Sequence, residues 1–128
     1  MGVAAGLEHA VLHLPVRHIV ICGHTDCGGI RALGRPPDWS RESHIARWIE
    51  HSRAAQTKVE ASGLPPEGQH LATVRENVLL QLEHLRTYDP VRDGERTGRL
   101  TLHGWVYYVE NGALEMHNRQ GGGWIPSA

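Results

Sequence analysis

Two side chains three positions apart, His24 and Cys27, offer the plainest chemistry in this sequence. An imidazole nitrogen and a cysteine thiolate are both good zinc ligands. They stand in Gly23-His24-Thr25-Asp26-Cys27-Gly28-Gly29, directly after the apolar run Ile19-Val20-Ile21-Cys22. An H-x-x-C pair alone is a weak signal in a chain with ten histidines. The setting strengthens it. A buried strand, a glycine-bearing turn and a helix start follow one another, and ligands commonly bind outside the carboxyl ends of such strands. The glycines are expected to let the backbone turn sharply between the two ligands.

Further donors are harder to find. Asp26 is adjacent, but a residue between two ligands on a tight loop is expected to point away. Cys22 reads as a small buried apolar residue. His103 and His117 fall in a C-terminal hairpin. His9, His13, His44, His51, His70 and His84 lie in helical segments among polar neighbours and read as ordinary. Two cysteines cannot make a disulfide framework, and a reduced pair is the expectation.

The elements that must position the pair follow from periodicity. Leu7, Ala10, Val11 and Leu14 have helical spacing over 5–14, and Pro15 ends that helix. Residues 17–22 form a β-branched apolar run between Pro15 and Gly23, which predicts a buried strand of a parallel sheet. A short helix follows from Gly28 to about Leu33, then a loop at Arg35-Pro36-Pro37-Asp38. Residues 41–61 predict one surface helix with Ile45, Trp48, Ile49 and Val59 on one side. Residues 69–87 carry Leu71, Val74, Val78, Leu82 and Leu85 along one stripe and predict the strongest helix. Asp89-Pro90 starts a turn. Residues 100–109 alternate as a strand, Asn111-Gly112 is a type I′ hairpin signal, and 113–117 return. The glycines at 121–123 and the final Pro-Ser-Ala read as a loose tail. This order predicts an α/β layered domain: a partial, mostly parallel sheet flanked by helices and ended by a β-hairpin. Trp48, Trp105, Tyr107 and Tyr108 read as core or interface aromatics, and Arg31 and Arg35 as solvated or near the loop mouth.

Bulk composition narrows the partners. The 128 residues suffice for one domain, 1–128. Thirteen basic and fourteen acidic side chains give a net charge of -1, which draws the chain to neither nucleic acid nor an anionic membrane. No apolar stretch approaches the ~20 residues of a membrane helix. Glu8 and His9 interrupt the place where an export signal would need apolar residues, so a cytoplasmic location is the expectation.

The stretch from Gly23 to Gly29 after an apolar strand resembles the second zinc motif of the β-class carbonic anhydrases. Leu7-Glu8-His9-Ala10-Val11 resembles that family's helix before the strand. Glu76-Asn77-Val78 with Gln81-Leu82 and Leu85 resembles its long helix. Leu102-His103-Gly104-Trp105 followed by Asn111-Gly112 resembles its closing hairpin. The resemblance runs from about Ala5 to about His117. It implies reversible hydration of carbon dioxide to bicarbonate at a zinc held by two cysteines and one histidine. His24 and Cys27 would be the histidine and the second cysteine. The family's first motif, Cys-x-Asp-x-Arg, supplies the other cysteine and an acid–arginine pair, and it is absent here. The expectation is therefore a truncated domain with half of a Zn2+ site and no catalytic acid–arginine pair.

Two functions follow. One is carbonate dehydratase chemistry with the missing groups supplied by a longer parent chain or a partner. The other is a degenerate, inactive paralogue that serves as a binding or assembly subunit. In the family, the strand equivalent to 17–22 pairs with the strand bearing the first motif. Here that edge is expected to be free, favouring a homo-oligomer or a complementing chain.

Overall fold

The apolar run forms β1 (His18–His24), but it is covered on one face only: Ile19, Ile21 and Gly23 face inward while His18, Val20, Cys22 and His24 are exposed, so the strand is not the fully buried one expected. In the computed structural model, residues 2–35, 38 and 40–127 are described, so the proline pair of the 35–38 loop lies outside them. The chain opens with α1 (Gly2–Glu8), which widens into a π-helical turn over His9–His13. The Leu14 N–H reaches back to the His9 carbonyl at 3.0 Å, five residues away. The single helix expected over 5–14 is thus two tighter and looser pieces, and Pro15 follows their end.

After β1 come α2 (Gly28–Ala32), α3 (Ser43–Glu50), α4 (Arg53–Ala61) and α5 (Pro66–Leu85). The expected single helix over 41–61 breaks at His51 and Ser52. Its inward residues are Ala46, Ile49, Ala55 and Val59, while Ile45 is exposed and Trp48 is 71% exposed. Trp48 is therefore not a core aromatic of this chain. Asp89-Pro90 opens α6 (Asp89–Arg96) instead of a turn. Proline suits the first helical turn, where its missing N–H costs nothing. Fully buried Val91 then seats α6 on the core.

The sheet is completed by β2 (Thr101–Tyr107), β3 (Leu114–His117) and β4 (Trp124–Pro126), in the order β1-β2-β3-β4. β1 and β2 run parallel, and the two later pairs are antiparallel, so the sheet is mixed within an α/β fold. Among the described residues β1 pairs with β2 alone, leaving its other edge free. The hairpin at Asn111-Gly112 is longer than a type I′ turn. Only Gly112 takes a positive φ, of 74°, and Asn111 instead uses Oδ1 to accept the Ala113 N–H at 2.9 Å. The expected loose tail is ordered as β4. Trp124 lies under the Arg75 guanidinium, 5.9 Å from the ring centre, and Arg75 makes a two-pronged contact with buried Glu115 at 2.7 and 2.8 Å.

α5 lies along the sheet and joins two apolar clusters. Leu82 and Leu85 pack with Val11, Val91, Leu100 and Leu102. Val74 and Val78 pack with Ile30, Leu33, Ile49 and Val106. Two glycines let the helix approach. A Cβ on Gly23 would stand 2.8 Å from a Val78 methyl, and one on Gly104 would stand 2.9 Å from the other. No described helix is long and apolar enough to cross a membrane.

Candidate metal loop

β1 delivers His24 at its carboxyl end, and three residues later Cys27 caps α2. Between them Asp26 takes φ 52°, the left-handed conformation that aspartate tolerates better than most residues. Asp26, not a glycine, therefore makes the turn. Gly23 serves close packing against α5, and Gly28 and Gly29 take no positive φ. The Asp26 carboxylate is held by Arg31 at 2.9 and 3.0 Å, which directs it to that cation.

His24 is exposed, with Nδ1 2.8 Å from the Thr25 carbonyl oxygen. Cys27 is half-buried, and its backbone N–H donates to His70 Nε2 at 3.3 Å. His70, which the sequence marks as one more helical histidine, is thus a neighbour of the loop. Desolvation, then the charge of Arg31, holds its pKa below the ordinary value. A neutral ring is what an acceptor at Nε2 requires. Thr25 is buried and ties the loop to the β2–β3 hairpin. Its N–H donates to the Tyr107 carbonyl at 3.0 Å, and its hydroxyl donates to Glu110 Oε2 at 2.8 Å. The same hydroxyl accepts the Val109 N–H at 3.0 Å. Thr25 and Glu110 are 85 positions apart, and nothing in the local sequence marks that bond.

The other candidate donors lie apart. Cys22 is exposed, contrary to its expected burial, because it faces the open side of the edge strand β1. The sheet around its thiol still desolvates it enough to hold the thiol pKa above its ordinary value. His103 bonds His18, nitrogen to nitrogen, at 2.9 Å. His117 packs on Trp124 with ring centres 5.3 Å apart. Among the described residues, no group of three His, Cys, Asp or Glu side chains could hold a metal ion. His24 and Cys27 suit zinc in donor chemistry, a nitrogen and a sulfur. Two donors fall short of the three protein ligands that a catalytic zinc takes.

The carbonic anhydrase family model matches residues 1–114. The carbonic anhydrase of Pseudomonas aeruginosa is 41% identical over 115 residues, covering 89% of this chain and 52% of that protein. Carbonic anhydrase 1 of Escherichia coli O157:H7 is 40% identical over 116 residues, covering 88% of this chain and 52% of that protein. The solved structure of the β-carbonic anhydrase CcaA superposes with a TM-score of 0.86 at 28% identity, covering 97% of this chain and 57% of that one. The chain spans about half the length of the curated relatives it matches.

Proposed function

The chain belongs to the β-carbonic anhydrase family, and from that premise we propose that it carries the His24–Cys27 half of a zinc site for reversible hydration of carbon dioxide to bicarbonate. The observation that carries this reading is the loop itself. It presents one imidazole and one thiol, three residues apart, at the carboxyl end of a strand, with His24 Nδ1 occupied by a carbonyl. A third protein ligand and an acid–arginine pair would come from polypeptide beyond these 128 residues, in the same protein or a partner. Zinc, when held by a full ligand set, lowers the pKa of a bound water to about 7 and so supplies hydroxide.

The test combines metal content with hydration kinetics. The 128-residue chain should bind zinc weakly and lose it to a mild chelator, and it should hydrate carbon dioxide little or not at all in a stopped-flow indicator assay. Adding a polypeptide that bears a Cys-x-Asp-x-Arg strand should raise both, and Cys27→Ser should abolish the gain. Zinc retained stoichiometrically by the chain alone, or zinc binding indifferent to Cys27→Ser, would overturn the reading.

A second reading has its own observation. The free edge of β1 and the absence of a third donor among the described residues favour an inactive assembly subunit. It predicts that the complemented complex forms yet hydrates no carbon dioxide.

A further inference from the structure

Resting on the assignment of His24 as a metal ligand, we infer that Glu110 is a positioning residue that acts through Thr25 to fix the His24 ring with Nε2 free for a metal. The argument starts at the ring. His24 Nδ1 sits 2.8 Å from the Thr25 carbonyl oxygen. A carbonyl only accepts, so Nδ1 carries the proton, and in the neutral ring Nε2 is left as a lone pair. Metal-binding histidines are commonly oriented in this way by the partner of their other nitrogen.

That carbonyl orients the ring only if residue 25 is itself immobile. Thr25 is 7% exposed. Its backbone N–H is bonded to Tyr107 and its hydroxyl to both Val109 and Glu110. The hydroxyl has one proton, and a carboxylate can only accept it. Glu110 therefore holds the Thr25 hydroxyl in the single rotor state that leaves an oxygen lone pair for the Val109 N–H. Without the carboxylate the hydroxyl proton is free to turn toward other acceptors. The bond to Val109 then weakens, and the Thr25 peptide that carries the His24 acceptor gains freedom. Glu110 touches neither the ring nor any reacting atom, so its part is one of orientation.

The experiment uses the full 128-residue chain with cobalt(II) as the metal probe. Two quantities are read: the His24 tautomer by nitrogen-15 NMR without metal, and cobalt affinity by the sulfur-to-cobalt charge-transfer band. In the starting chain the Nδ1–H tautomer of His24 should dominate. Glu110→Ala, at an exposed position, should mix the tautomers and weaken cobalt binding by about 10-fold, the lower end of the loss typical for such supporting partners. Glu110→Gln should restore both, because its amide oxygen also accepts the hydroxyl proton. Thr25→Ser and Thr25→Ala repeat the contrast from the other end of the bond, with only the serine retaining both properties. An unchanged tautomer and affinity in Glu110→Ala, with cobalt binding lost in His24→Ala, would overturn the inference and leave the metal assignment standing. Cobalt bound equally well by His24→Ala would overturn the metal assignment, and the tautomer would still decide whether Glu110 orients the ring.

Discussion

The hydrogen bond between His18 and His103 joins β1 to β2 through one proton shared by two imidazoles. It requires one ring to accept, so it fails when both are charged. Desolvation, then Arg119 and His18, holds the His103 pKa below its ordinary value near 6.5. The unfolded chain therefore takes up this proton at a higher pH than the folded one. Folding stability from this site is complete above about pH 6.5 and falls as the pH drops below it toward the folded value. Urea midpoints measured from pH 7.5 to pH 5.5 should decline in the parent chain and decline less in His103→Gln; equal slopes would refute the linkage. At this scale the sequence was informative only where the chemistry is local. His24 and Cys27 are legible because one short loop holds both. His70 beside Cys27 and Glu110 beneath Thr25 come from 43 and 85 positions away, and no periodicity encodes such meetings. The expected burial of Cys22 fails because burial of a strand residue depends on which face is covered, and its face is open.

α5 depends on the two glycines beneath it. Placing a methyl at Gly104 puts carbon 2.9 Å from Val78 and 3.3 Å from Leu82. Gly104→Ala should cost about 1–3 kcal/mol by overpacking, and Val78→Ala in the same chain should return part of it. Additive losses in denaturant titrations would show that the two positions do not clash. The far end of the sheet depends on Arg75 and Glu115. Glu115→Ala strips a half-buried guanidinium of its carboxylate, for a cost of about 1–3 kcal/mol. Trp124 fluorescence should report β4 loosening before global unfolding. Element by element, α5 could be read from its hydrophobic stripe, β1 from its apolar run and the hairpin from Asn111-Gly112. α6 and β4 could not. Asp89-Pro90 has the same residues as a turn, and only the core waiting for Val91 makes it a helix start. Three glycines hide a strand whose Trp124 is anchored from outside its own segment, by Arg75.

For the whole molecule the β1 edge that is free among the described residues dominates. It runs seven residues without proline, and Val20 on its outer face is 37% exposed. Unpaired edges of this kind recruit other strands. The chain should elute above monomer size with light-scattering detection, and Val20→Lys should shift it toward monomer. A parent chain that is already a stable monomer would contradict this. The β1 edge left open among the described residues agrees with the expectation from the family resemblance, in which the equivalent strand pairs with the strand of the first motif. The mixed character of the sheet follows from the β2–β3 hairpin beside the parallel β1–β2 pair, and β4, which the glycine-rich end concealed, extends the antiparallel side.

The parallel pairing of β1 with β2 has a further consequence, one of time. His18 meets Thr101 and His24 meets Tyr107, with everything from Thr25 to Leu100 emerging between the two strands. At roughly 5–20 residues per second of synthesis, β1 leaves the ribosome several seconds before its partner exists. The β2–β3–β4 hairpins close on local contacts, but β1 cannot join them until the long intervening helices have folded back, the slow kind of contact in folding. The strand that carries His24 is thus open on one edge among the described residues after folding and on both edges before it, and the interval on the ribosome is when it is most open to another strand.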